Sequence, residues 1–148
     1  MWRPRDPLGD PSSPEPMTAL VVGARESLRR PAALALSDAR FRVKEAATPG
    51  EAMARSRALR PHVIVLDVAL GPHDGLELCR RLRVPSDHGT PLVVLVLDDA
   101  TERPFLEASL VGADDFVTRP YTPEELARKV LSGVRRRAPL ALRRTEFA

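Results

Sequence analysis

A single cysteine, Cys79, stands in the 148 residues, so no internal disulfide can form, as fits a reducing cytoplasm. It falls within a helical pattern and reads as a small core residue rather than a redox centre. No apolar run approaches the ~20 residues that span a membrane. Met1 to Pro16 also lacks the apolar centre of a signal peptide. There is no repeat at a solenoid period. His62, His73 and His88 have neither nucleophile nor metal-ligand spacing, so each reads as a loop or strand-end residue, and an independent enzyme is not expected. Aromatics are few, at 4%. Lysine is nearly absent too: every basic residue except Lys44 and Lys129 is arginine, which points to coding bias more than to function.

What is present is one domain's worth of chain with an ordinary hydrophobic fraction of 43%. The net charge of +3 is unevenly placed. Residues 17–134 balance 16 basic against 16 acidic side chains, while residues 135–148 carry five arginines against Glu146. The basicity belongs to a tail; an arginine cluster there can contact phosphate, but it reads first as a solvated helix end. Residues 1–16 hold Pro4, Pro7, Pro11, Pro14 and Pro16 with little apolar content, and read as a disordered arm. Met17, just before the first strand, is a candidate natural start. The expected division is an arm over 1–16, a folded domain over 17–137, and a basic tail or linker over 138–148.

Within the domain, strand and helix patterns alternate. Strands are predicted at Ala19–Gly23, Phe41–Ala46, His62–Asp67, Pro91–Leu97 and Asp115–Thr118. Helices are predicted at Glu26–Ser37, Pro49–Leu59, Gly75–Arg83, Glu102–Val111 and Pro123–Arg137. Thr48-Pro49-Gly50-Glu51 and Thr122-Pro123-Glu124-Glu125 are capping boxes with proline at the first helical position, and Asp74 caps by the same logic. Pro31 lies inside the first helical pattern and is expected to kink or delay it. Runs such as Val63-Ile64-Val65-Leu66 are apolar without alternation, the mark of strands buried on both faces. Five such strands alternating with helices predict a doubly wound α/β fold, a five-stranded parallel sheet in flavodoxin-like order 2-1-3-4-5 flanked by five helices. Ligands and chemistry in such sheets sit beyond the carboxyl ends of the strands, where Asp67 ends the third.

Three segments carry a resemblance: Val63-Ile64-Val65-Leu66-Asp67, Asp74-Gly75-Leu76-Glu77-Leu78, and Val111-Gly112-Ala113-Asp114-Asp115-Phe116-Val117-Thr118-Arg119-Pro120-Tyr121. With these, Thr18 to Arg137 resembles the receiver domain of bacterial two-component response regulators. The resemblance implies that a histidine kinase passes a phosphoryl group to Asp67. It also implies an acidic pair after the first strand that binds Mg²⁺, a Thr or Ser after the fourth strand, a Lys before proline after the fifth, and an aromatic on the fifth.

The chain departs from most of this pattern. Gly23 and Ala24 occupy the acidic-pair positions, Val96 (or Leu97) the hydroxyl position, and Arg119 the lysine position. Phe116 keeps the aromatic. With Asp67 alone among the usual metal carboxylates, Mg²⁺ is expected to bind weakly, and no other cofactor is implied. Glu26, Asp98 and Asp99 are the remaining acids that could face the mouth, although Asp98-Asp99 also reads as a solvated loop before a helix N-terminus. Arg119 and Arg25 are expected near Asp67, making a structural salt bridge.

Gly112-Ala113-Asp114-Asp115 is similar to receivers of the winged-helix transcription-factor class, which dimerise through the fourth helix, fifth strand and fifth helix. Asp114, Asp115, Glu125 and Lys129 match charged positions of that face, though Glu125 and Lys129 also read as an i,i+4 pair worth ~0.3 kcal/mol. The tail is too short for an output domain; it is either the opening of a DNA-binding domain or the end of a stand-alone regulator. Three function classes follow. The first is an atypical, phosphorylation-independent dimerisation or interaction module in signal transduction. The second is a phosphoacceptor with degraded metal affinity. The third is a small-anion sensor using Arg25 and Arg119 beside the Gly23 crevice.

Overall fold

The computed structural model describes residues 16–70, 73–85, 89–98 and 112–137. Five strands, β1 (Thr18–Val22), β2 (Arg42–Ala46), β3 (Val63–Asp67), β4 (Leu92–Leu97) and β5 (Asp115–Thr118), form one sheet. Their spatial order is β2-β1-β3-β4-β5, all parallel, the order the alternation predicts. The helices among the described residues are α1 (Glu26–Asp38), α2 (Pro49–Leu59), α3 (Gly75–Leu82) and α4 (Pro123–Arg137). The helix expected over 102–111 lies outside the described residues, as do residues 1–15 of the arm and the tail over 138–148; α4 is therefore the fifth helix of the sequence reading.

Period-two alternation sorts the apolar strands onto two cores. Toward α1 and α4 point Ala19, Val21, Val63, Val65, Val94, Val96 and Val117, against Ala32, Ala33 and Leu36 of α1 and Leu126 and Val130 of α4. Toward α2 and α3 point larger side chains, Leu20, Ile64, Leu66, Leu95 and Leu97, against Ala52, Leu78, Cys79 and Leu82. Small residues on both surfaces let α1 and α4 approach the sheet closely. Leu92 is the large exception on that face, and it packs over Gly133, where an added Cβ would lie 2.8 Å from Leu92 Cδ2.

The helix starts behave as their sequences predict. Thr48 Oγ1 accepts from Glu51 N–H at 3.1 Å while Glu51 Oε1 accepts from Ala47 N–H at 2.8 Å. Asp74 Oδ1 accepts from Leu76 and Glu77, and Thr122 Oγ1 from Glu125 N–H. Pro31 does not delay α1, which begins at Glu26 and continues to Asp38. After β3 the chain forms a two-residue antiparallel ladder, Ala69–Leu70 with His73–Asp74, where the sequence suggested only a loop. Gly75 then starts α3 directly under it: a Cβ there would lie 2.5 Å from both Val68 Cα and Val68 O, so only glycine fits.

Candidate functional site

The carboxyl rim of the sheet brings four of the singled-out positions to one side. Asp67 and Val96 are register partners across β3 and β4. Gly23 N–H donates to Ala46 O and Arg119 N–H to Leu97 O, so both continue their strands' ladders by one residue. Alternation then places Gly23, Asp67, Val96 and Arg119 on the same side as Val21, Val65, Val94 and Val117. The register also chooses between the two candidates for the hydroxyl position: Val96 is beside Asp67, while Leu97 points into the opposite core.

Asp67 is the one buried charged residue among those described, 6% exposed. Its Oδ2 accepts from Arg119 Nη2 at 2.5 Å and its Oδ1 from Ala69 N–H at 2.9 Å. Arg119 is itself mostly covered and forks, with Nη1 donating to Asp98 Oδ1 at 2.8 Å. One guanidinium thereby ties the ends of β3 and β4 to the loop after β5. Burial pulls the Arg119 pKa down, but the hydrogen bonds and charges of Asp67 and Asp98 outweigh it and hold it above its ordinary value. Tyr121, two residues on, is held above its ordinary range by burial, with Arg119 pulling it down and Asp67 pushing it up.

Beside Asp67, at the end of β1, an arginine from α1 fills the neighbourhood of the missing acids. It is Arg29, not Arg25. Arg29 Nη1 donates to Gly23 O at 2.8 Å and Nε to Glu45 Oε1 at 2.6 Å. A Cβ on Gly23 would meet Arg29 Cβ at 3.4 Å and Asp67 Cβ at 3.5 Å, so the Arg29 stem packs against the space a first-strand carboxylate would enter. Arg25 is exposed at the N-cap of α1, where its carbonyl begins the helix. Ala24 is exposed, and Glu26 turns outward to Arg30 at 3.0 Å instead of toward Asp67. Asp98 faces Arg119 rather than a free mouth; Asp99 lies outside the described residues. No group of three or more His, Cys, Asp or Glu among the described residues is placed to hold a metal ion.

On the far side of β5, Phe116 is half-buried against the α2–α3 core. Lys129 Nζ lies 5.1 Å from its ring centroid and donates to its carbonyl at 2.9 Å. Lys129 also pairs with Asp115 at 3.6 Å, so the expected Glu125–Lys129 helix pair gives way to one between helix and strand. Asp114 is committed internally: Oδ2 accepts from Val93 N–H at 2.8 Å and pairs with Arg83 at 3.2 Å, with Arg137 3.7 Å from Oδ1. Of the four charged positions read as a dimer face, Asp115, Glu125 and Lys129 remain on the surface between β5 and α4, and Asp114 serves the fold.

A family model for the response regulator receiver domain matches residues 19–131. The chain is 37% identical over 128 residues to the response regulator MprA of Mycolicibacterium vanbaalenii, covering 84% of this chain and 53% of the relative. It is 33% identical over 122 residues to the probable transcriptional regulatory protein TcrX of Mycobacterium tuberculosis, covering 82% and 51%. The chain thus spans about half the length of these curated relatives. Among solved structures, the chemotaxis response regulator CheY4 of Vibrio cholerae matches with a TM-score of 0.72 at 25% identity, covering 80% of this chain and 98% of that one. The receiver domain of DrrB, activated with BeF3, matches at 0.71 and 28% identity, covering 80% and 97%.

Proposed function

The chain belongs to the response regulator receiver family, and from that premise we propose that it is an atypical receiver, held in one state by its own arginine and acting through protein contacts instead of phosphoryl transfer. The observation that carries this reading is the fork of Arg119 between Asp67 and Asp98. A phosphoacceptor aspartate needs an oxygen free to attack. Here one carboxylate oxygen is held by a guanidinium and the other by a backbone N–H.

The residues present do not fit a resident Mg²⁺. That ion takes hard oxygen ligands in octahedral geometry, whereas the first strand ends in Gly23 and Ala24 and the nearby stem is that of Arg29. Val96 carries no hydroxyl to follow a phosphoryl group, so the link from Asp67 to the Phe116 surface lacks its usual first step. Lysine offers a mobile point charge; arginine offers a planar fork able to hold two carboxylates at once. The Asp67–Arg119–Asp98 arrangement supports a fixed contact in place of a switched one.

In this reading the product is a signalling module of two-component transcription control, with no enzymatic activity of its own. Its contacts are a second copy through the face between β5 and α4, extended by the helix expected over 102–111, and a histidine kinase or other signalling protein. DNA would be reached only through an output segment beyond these residues. A calorimetric Mg²⁺ titration of the full chain tests the metal side of the reading. No saturable binding is expected through the millimolar range. Saturable binding that disappears in Asp67→Asn would overturn it and favour a phosphoacceptor.

A further inference from the structure

On the other side of the sheet from the Asp67 pair, a groove of about 390 Å³ opens between the C-terminal ends of α2 and α3. Its α2 wall is Met53, Ser56, Arg57 and Arg60, spaced i, i+3, i+4 and i+7, a single stripe of one helix. Facing it are Arg81 and the apolar residues Leu82, Val84 and Pro85. Val84 is 62% exposed, one of three large hydrophobics that the described surface leaves open. Among the described residues neither Arg57 nor Arg81 has a carboxylate partner.

Arginines in last helical turns complement the helix dipole, and that accounts for the sign of the charge here. It does not account for an apolar floor between them. Two helix ends offset about one unit of charge in all, against the two guanidinium groups of Arg57 and Arg81. From these features we propose a second site, for an organic phosphate of nucleotide size. Guanidinium forks suit phosphate oxygens bidentately, and the Met53, Val84 and Pro85 surface suits the flat apolar part of such a molecule. The volume lies within the few hundred Å³ of small-molecule sites. The site is independent of the Asp67 reading and stands or falls separately.

The test is equilibrium binding of ATP, ADP and GMP to the full chain, without metal, followed by amide NMR shifts. At least one nucleotide is expected to saturate, with shifts on α2 and α3. Arg57→Ala and Arg81→Ala should each weaken it about tenfold, with an unchanged thermal midpoint. Arg143→Ala with Arg144→Ala, in the tail, should leave it unchanged. Four outcomes would each overturn the proposal: no saturation through the millimolar range, affinity carried by Arg143 and Arg144, indifference to Arg57 and Arg81, or competition by inorganic phosphate as strong as by nucleotide.

Discussion

A buried carboxylate needs a partner, and in this chain the partner is Arg119. Asp67, 6% exposed, loses its cation if Arg119 is replaced, keeping only the Ala69 N–H. Arg119→Ala is therefore expected to cost about 2–3 kcal/mol in denaturant unfolding, below the full penalty of a deeply buried pair because Arg119 retains some exposure. Arg119→Lys should recover only part of this, since a point charge cannot fork to Asp98 as well. Cys79 gives a second residue-scale test. Burial pushes its thiol up to about 11, against the downward pull of Arg83 and Arg80, with Asp114 adding to the rise. Alkylation of the native protein near neutral pH should run at least about 100-fold slower than that of the unfolded chain. The native thiol keeps a proton that the unfolded chain releases above 9.0, so the unfolded state binds fewer protons and stability falls as pH rises from 9 toward 11. Chemical unfolding across that window checks the sign, with Cys79→Ala expected to fall less steeply, since Tyr121, also held above its ordinary range, still contributes.

The elements were legible because their signals are local. Non-alternating apolar strands fixed the parallel sheet, and Thr48, Asp74 and Thr122 marked helix starts that the structure keeps. Removing the cap in Thr48→Ala should cost about 1 kcal/mol of thermal or denaturant stability. What stayed hidden depends on packing between elements. The demand for glycine at 75 arises from the Val68 backbone, which no local pattern announces. Gly75→Ala should therefore destabilise well beyond the ordinary glycine-to-alanine effect, visible as a lowered unfolding midpoint. Arg29 was missed for a similar reason. Arg25 and Arg29 are four residues apart, and only the packing of α1 against the end of β1 shows that it is Arg29 that reaches the Gly23 carbonyl. Asp67 was legible because it ends a strand, where the topology itself says to look, while Val96 and Arg119 were singled out only through the resemblance to receiver domains.

At the scale of the molecule, the fold is that of a switch while the site is wired as a clasp. If contacts replace phosphorylation as output, the β5–α4 face should pair without any activating step. Sedimentation equilibrium of the full chain is expected to give a dimer that Lys129→Glu weakens, through its loss of Asp115 and the Phe116 carbonyl; a monomer at every concentration would refute that face. The most direct measurement of the central claim is intact-mass analysis after incubation with acetyl phosphate, with and without Mg²⁺. The expected result is an unchanged mass in both, since Arg119 and Ala69 N–H already hold both oxygens of Asp67. A Mg²⁺-dependent phosphoryl adduct that Asp67→Asn abolishes would contradict it.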